Sequence, residues 1–314
     1  MKVLSLFDGI SCARVALERA GIDVEDYFAS EVDKYAIFIA QKNYTNTFQM
    51  GDVREIGHHH WYPPNGIDLL IGGSPCQDLS IAKKERKGLD GERSGLFWEY
   101  VRILKELKPK YFILENVNSM PKEAKELITK TLGVEPIMIN AALVSAQNRK
   151  RLFWTNIPGV TQPEDMGILL KDVLEESVDE KYFTTMDFTK RFDYTIHQEP
   201  YDKKGQGLRA TDYKGTHNMI RVGKIGKGGQ GDRIYSIEGK SVALSALGGG
   251  RGAKTGLYKD GTKIRKITPI ECERLQGLPD NYTDGISNSQ RYKCLGNAFN
   301  VDVVAHILSF IPKQ

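Results

Sequence analysis

The first 157 residues repeat one pattern: a short apolar run, a break at glycine or an acid, then an amphipathic helix. Lys2–Phe7 predicts the first strand, followed by a turn at Asp8-Gly9. A helix carrying Val15, Ala16, Leu17 and Ala20 comes next, closed by Gly21. Tyr27–Val32 predicts a second strand, and Lys34–Asn43 a helix with Ile37, Phe38 and Ala40 inward. Phe48–Val53 and Ile67–Ile71 follow as strands, then a helix from about Ser94 to Leu107 and the strand Tyr111–Glu115. Pro121–Leu132 is a helix, and Pro136–Val144 and Leu152–Ile157 are strands. Strands this uniformly apolar are buried on both faces, which helices above and below a parallel sheet achieve. The expected fold is α/β, with a doubly wound, mostly parallel sheet.

From 158 to 262 the rhythm fails, and short β-like pieces lie between glycine clusters. It resumes at Thr268–Gln276, with Pro269 in the first helical turn, and at Val301–Ile311, a helix apolar enough to pack back on the first domain. The charge changes in the same place. Lys203–Lys266 holds 15 Lys/Arg against 4 Asp/Glu and 15 of the 31 glycines, a net of +11, while the remainder carries −7. A basic, glycine-rich insert suits a polyanion such as a nucleic acid, and equally a solvated loop region. No apolar stretch approaches the roughly 18 residues that span a bilayer. Asp8 interrupts the apolar start too early for a secretion signal. Four scattered cysteines without a C-x-x-C pair suit reduced thiols in a cytoplasm.

In a doubly wound sheet, ligands sit beyond the carboxyl ends of the strands. Those ends carry Asp8-Gly9, Glu31, Asp52, Pro75-Cys76 and Glu115-Asn116, so three acids, a cysteine and a Glu–Asn pair share one rim. Cys76, presented after Gly72-Gly73-Ser74-Pro75, is either a nucleophile activated by nearby positive charge or a buried structural thiol. Glu115 is either a proton donor or a paired, structural carboxylate. In the run Gln147–Arg151, Arg149 and Arg151 share one face of an extended segment, which suits an anionic or carbonyl target; a solvated charge run is the alternative. Asp8-Gly9 lacks the G-x-G-x-x-G of a dinucleotide site, and Glu31 stands where an acid commonly takes ribose hydroxyls. An adenosyl ligand without a pyrophosphate fits these features. His58-His59-His60 reads as a polar loop, because adjacent residues cannot aim three imidazoles at one ion; no metal is expected.

Together these pieces resemble the C5-cytosine DNA methyltransferases, in that family's own order. Phe7-Asp8-Gly9 is similar to the cofactor motif, Gly73-Ser74-Pro75-Cys76-Gln77 to the catalytic motif and Glu115-Asn116-Val117 to the acid motif. Gln147-x-Arg149-x-Arg151 matches the base-binding motif. Arg265-x-Ile267-Thr268-x-x-Glu271-x-x-Arg274-x-Gln276-Gly277 resembles the motif bracing the target domain, and Gly296-Asn297-Ala298 the cofactor-closing motif. Residues 74–81 and 86–89 look closest to the animal de novo branch, while the compact length looks bacterial or phage. Two departures are Leu79, where the family has Phe, and Val32, where a bulky aromatic follows the second-strand acid.

The resemblance implies an S-adenosylmethionine-dependent methyltransferase fold with a smaller, irregular β-rich target-recognition domain. It divides the chain into a catalytic and cofactor-binding domain (1–157), a target-recognition domain (158–264) and a bracing segment with a returning C-terminal helix (265–314). It implies that Cys76 attacks cytosine C6 while Glu115 protonates N3, that Arg151 holds O2, and that Arg149 lies near the nucleophile. S-adenosylmethionine would be bound by Phe7, Asp8, Gly9, Glu31, Val32, Asp52, Val53, Ser74, Pro75, Asn297 and Ala298, leaving as S-adenosylhomocysteine. Gln77, Ser80, Lys83, Lys84 and Arg86, on a loop closing over the substrate, would contact double-stranded DNA. Arg209, Arg221, Arg233 and Arg251 are candidates for reading it. The base must leave the duplex to be reached. The implied enzyme acts as a monomer in a bacterial cytoplasm, away from membranes, with any restriction endonuclease working separately. A tRNA cytosine-5 methyltransferase, a silent DNA-binding relative and a nicotinamide oxidoreductase are the rival readings. The basic insert, the complete residue set and the missing glycine fingerprint, respectively, weigh against them.

Overall fold

Strand β1 (Lys2–Leu6) has all five side chains buried, since the sheet is covered on both faces. The described chain is a computed structural model covering residues 1–57, 66–74, 95–184, 195–196, 219–224, 230–246, 256–261 and 263–312. After β1 come α1 (Cys12–Arg19), β2 (Asp26–Ser30), α2 (Lys34–Asn43), β3 (Phe48–Gln49) and β4 (Leu69–Gly73). Then follow α3 (Leu96–Leu107), β5 (Tyr111–Val117), α4 (Lys122–Leu132), β6 (Ile137–Asn140), β7 (Gln147–Asn148) and β8 (Lys150–Thr155). The remaining strands are β9 (Thr195–Ile196), β10 (Arg221–Lys224), β11 (Arg233–Ser236), β12 (Ser241–Val242), β13 (Leu257–Asp260) and β14 (Lys263–Arg265). Helices α5 (Pro269–Leu275), α6 (Asn288–Asn297) and α7 (Val301–Leu308) close the described chain.

One compact unit comprises Met1–Ile139, Lys150–Gln162 and Val301–Gln314. Its seven-stranded sheet has the order β3-β2-β1-β4-β5-β8-β6. The pairs from β3 to β5 are parallel, and β5–β8 is antiparallel. Strand order reverses between β1 and β4, which opens a crevice beyond their carboxyl ends. Leu4, Leu6, Leu70 and Leu114 pack from one face against Phe97, Tyr100 and Ile103 of α3 and Ile128 of α4. Helices α1 and α7 lie against each other, and Arg19 pairs with Asp302 between them. The last helix thus returns to this unit. Gly72 is obligatory in β4, because a Cβ there would stand 2.8 Å from the Leu6 carbonyl oxygen and 3.3 Å from the Tyr100 ring.

Several element boundaries differ from the sequence reading. The second strand stops at Ser30, because the Glu31 carboxylate takes the N–H groups of Val32 and Asp33. The third strand ends after two residues, where Gly51 turns at φ +72° and Asp52 caps a short 3-10 turn by accepting from Arg54 N. The sixth ends at Asn140, whose side chain accepts from Ala142 N and starts another such turn. In α2 the buried positions are Ala36, Ile39 and Ala40, and Phe38 is 48% exposed, so it points out rather than in. Helix α6 was not anticipated, since NSQRYKCLGN has little apolar periodicity.

The second unit comprises Asn140–Arg149 and Pro163–Asn300. By packing, 140–149 and 265–300 belong with the insert rather than with the stretches flanking it in sequence. It holds a five-stranded sheet, β14-β13-β11-β10-β9, and the two-stranded β12-β7. Ile234, Leu257 and Ile264 form a small core on one face of the larger sheet. Among the described residues no helix is long and apolar enough to cross a membrane, and no group of acids, histidines and cysteines is arranged to hold a metal. Cys12, Cys272 and Cys294 are buried and form no disulfide, and burial pushes the Cys272 thiol well up.

Candidate active site

The turn after β1 is held in an unusual backbone conformation. Phe7, Gly9 and Ser11 all have φ near +60°, and Phe7 and Ser11 are two of the four non-glycine residues of that kind among the described residues. Each left-handed non-glycine residue costs on the order of 1 kcal/mol, so its neighbours must impose it. They do so through two acids. Asp8, 4% exposed, accepts from Ser11 Oγ at 2.5 Å and from Tyr27 Oη at 2.6 Å. Burial raises its pKa to about 6 despite those hydroxyls. Glu31 accepts from Gly9 N at 2.8 Å with one oxygen and from Val32 N and Asp33 N with the other. No atom lies within 4 Å of a Cβ built on Gly9, so a ligand can approach its backbone closely. An acid beside an open glycine turn suits ribose hydroxyls, and the structure adds to that the exposed Val32 at 68%.

Farther along the rim, Asp52 is gripped by Arg54 through Nε at 3.0 Å and Nη2 at 2.5 Å, which holds its carboxyl below the ordinary range. The Val53 side chain is buried in the core. Between β4 and β5, Gly73 lies opposite Glu115. Asn116 Nδ2 donates to Ser74 Oγ at 3.1 Å and to the Ser74 carbonyl at 3.3 Å, fixing the last described residue before the Pro75-Cys76 segment. In β5 the side chain of Glu115 alone escapes full burial. Arg151 of β8 reaches it diagonally across the antiparallel pair, with Nε 2.8 Å from Oε1; these side chains are 18% and 13% exposed.

In the second unit, Arg149 is 4% exposed and donates to three backbone carbonyls: Leu244 from Nη1, and Gly296 and Ala298 from Nη2. Arg149 thus donates to backbone carbonyls, while Arg151 pairs with a carboxylate. Ala298 is buried and Asn297 exposed. Several side chains of the 265–277 motif hold one another or their neighbours in place. Arg265 forks onto Glu271 with two 2.8 Å contacts, Thr268 and Glu271 make a reciprocal cap on α5, and Arg274 pairs with Asp280. A second buried pair, Glu273 with Arg291 at 2.9 Å, escaped the sequence reading, because its partners lie 18 residues apart with no apolar rhythm between them. Arg221 and Arg233 stand on the adjacent antiparallel strands β10 and β11. His58–His60, Pro75, Cys76, Gln77, Ser80, Lys83, Lys84, Arg86, Arg209 and Arg251 lie outside the described residues.

The chain matches the C-5 cytosine-specific DNA methylase family over residues 1–313. It is 31% identical over 325 residues to the type II methyltransferase M.HhaI of Haemophilus parahaemolyticus, spanning 98% of this chain and 93% of that one. To the type II methyltransferase M.HpaII of Haemophilus parainfluenzae it is 30% identical, spanning 96% and 86%. Among solved structures, the Entamoeba histolytica methyltransferase EhMeth superposes with a TM-score of 0.68 at 17% identity, covering 99% of this chain and 97% of that one. The Spodoptera frugiperda DNMT2 structure gives 0.67 at 19%, covering 98% of each. Likeness at that identity speaks for the fold.

Proposed function

The chain belongs to the C-5 cytosine-specific DNA methylase family and is a DNA (cytosine-5-)-methyltransferase; on that premise we propose that it methylates a cytosine flipped out of a specific duplex sequence, through a transient Cys76–C6 bond. Cytosine C5 is too weak a nucleophile to react directly. Addition of the Cys76 thiolate to C6, with a proton from Glu115 at N3, makes C5 enamine-like, and covalent catalysis divides one inaccessible step into reachable ones. Once C5 carries the methyl group, its proton passes to solvent, the thiolate leaves C6 and N3 returns its proton to Glu115. Arg151 holds the base's O2, and Arg149 lies near the nucleophile. S-adenosyl-L-methionine, when bound, supplies an electrophilic methyl group and leaves as S-adenosyl-L-homocysteine. Phe7, Asp8, Gly9, Glu31, Val32, Asp52, Val53, Ser74 and Pro75 hold it, with Glu31 on the ribose and Asp8 shaping the turn; Asn297 and Ala298 close over it. Gln77, Ser80, Lys83, Lys84 and Arg86 contact DNA on a closing loop, and Arg209, Arg221, Arg233 and Arg251 belong to the recognition lobe.

The observation that carries this reading is the Glu115–Arg151 pair, beside the strand that leads into Cys76. A proton donor and an O2 ligand must sit side by side, because N3 and O2 are neighbours on one edge of the pyrimidine. Duplex DNA containing 5-fluorocytosine tests it, since fluorine at C5 cannot leave as a proton and the adduct accumulates. We expect a denaturation-resistant protein–DNA species with the wild type and none with Cys76→Ser, which still binds DNA. Glu115→Gln should slow its formation by several orders of magnitude. No adduct with the wild type, or methyl transfer to tRNA and not to duplex DNA, overturns the reading.

A further inference from the structure

Two glutamines of the second unit are completely buried, and their amides close a ring around Arg149. Gln147 Oε1 accepts from Leu244 N at 3.0 Å, while its Nε2 donates to the Leu275 carbonyl at 3.2 Å and to Gln276 Oε1 at 3.3 Å. Gln276 Nε2 donates to the carbonyls of Leu295 at 2.6 Å and Ala298 at 3.3 Å. Arg149 Nη2 donates to that same Ala298 carbonyl, and its Nη1 to the carbonyl of the Leu244 whose N–H Gln147 holds. The ring thus runs Gln147, Gln276, Ala298, Arg149, Leu244 and back to Gln147.

A buried amide that only stabilised the fold could be exchanged for an apolar side chain of similar volume with modest effect, provided its partners left with it. These amides have another consequence. A guanidinium on a long chain has many rotamers, and what restricts Arg149 is the position of its acceptor carbonyls. Gln147 positions one of them, by holding the N–H of Leu244, the residue whose carbonyl Arg149 takes. Gln276 positions a second, through the Ala298 carbonyl it shares; the third, on Gly296, belongs to the same helix end. Catalytic groups must be held within a fraction of an ångström, and a displacement of about 1 Å costs about 100-fold in rate.

We propose that Gln276 and Gln147 are positioning residues for the known reaction: they act through Arg149 and touch neither base nor cofactor. This rests on the reading of Arg149 given above. The test is a double-mutant cycle with Gln276→Met and Gln147→Met, following both the rate of adduct formation on 5-fluorocytosine DNA and the dissociation constant for the same DNA. Sheared, enzymatically amplified genomic DNA serves as probe, as it holds nearly every short sequence unmethylated. We expect each single variant to slow adduct formation about 100-fold and the double variant hardly more, because either break opens the same ring. DNA affinity should stay within about 3-fold.

Rates that multiply in the double variant, or DNA affinity falling in step with the rate, overturn the proposal. If a variant does not fold, hydrogen exchange of the wild type decides: the Leu244 amide should be strongly protected, and exchange at loop rates shows that the ring is not closed. Absence of any adduct with the wild type would instead defeat the catalytic reading, so the two failures are distinguishable.

Discussion

Asp8 buries a carboxyl whose oxygens are taken by the hydroxyls of Ser11 and Tyr27. Burial lifts its pKa from 3.8 to about 6, with the Ser11, Ser5 and Tyr27 hydroxyls opposing and Glu31 adding. A folded-state pKa above the unfolded one means that the contribution to stability is fully present below about pH 4 and is lost as pH rises through about 6. The shift corresponds to about 3 kcal/mol. Asp8→Asn removes the titration, so urea unfolding of the two proteins between pH 4 and 8 should show the variant gaining on the wild type by about that amount as pH rises from about 4 to about 6, and levelling off above it. A difference independent of pH would sink this account. The motif Phe7-Asp8-Gly9 was legible in the sequence, and so was Glu115, the lone charge in an apolar strand. Which groups consume the Asp8 oxygens was not legible: Tyr27 is 19 residues away, and only the β1–β2 register brings it there.

At the scale of elements, α6 was invisible to periodicity for the reason that makes it useful. Its sequence serves several surroundings: Arg291 goes to Glu273, Tyr292 Oη to the Ile267 carbonyl, and the helix end to Arg149 and Gln276. The parallel strands, by contrast, were readable because each repeats one environment on both faces, and errors fell at their ends, where side chains such as Glu31, Asp52 and Asn140 outcompete the ladder for backbone N–H groups. Gly296 makes α6 testable. Helix propensity favours Ala over Gly by about 1 kcal/mol. A Cβ on Gly296, however, would overlap the backbone of Ser245 and Ala246, which cannot rotate away. Overpacking of this kind costs about 1–3 kcal/mol, and against backbone the upper end applies. Gly296→Ala should therefore lower the free energy of unfolding in urea by about 2 kcal/mol, and a stabilised variant would mean that α6 does not seat against that loop.

For the molecule as a whole, the decisive quantity is where its charge lies. The +4 of the full chain divides into +11 on Lys203–Lys266 and −7 elsewhere, so attraction to a polyanion must come from that insert against a body that repels it. If 6–10 phosphates are neutralised, affinity falls by about 10³–10⁵ between 50 and 200 mM salt, and the logarithmic slope is about −0.9 per contact. Titrating DNA binding against salt should thus give a slope steeper than about −5 for the whole protein. Arg221 and Arg233, at opposite ends of the paired strands β10 and β11, separate two roles within it. A phosphate-binding arginine changed to Gln makes the slope shallower by about 1 and weakens all sequences alike; one that reads a guanine edge costs about 1–3 kcal/mol at one position of the target and relaxes its choice there. Lys224 faces Arg233 across that pair, so Arg221, Lys224 and Arg233 all stand on two paired strands, to which an anion would be attracted. We therefore expect at least one of the two arginine variants to change the slope or the pattern of methylated sites. If both bind and methylate as the wild type does across the salt series, this sheet is not the DNA-facing surface, and the attraction resides in other cations of the insert.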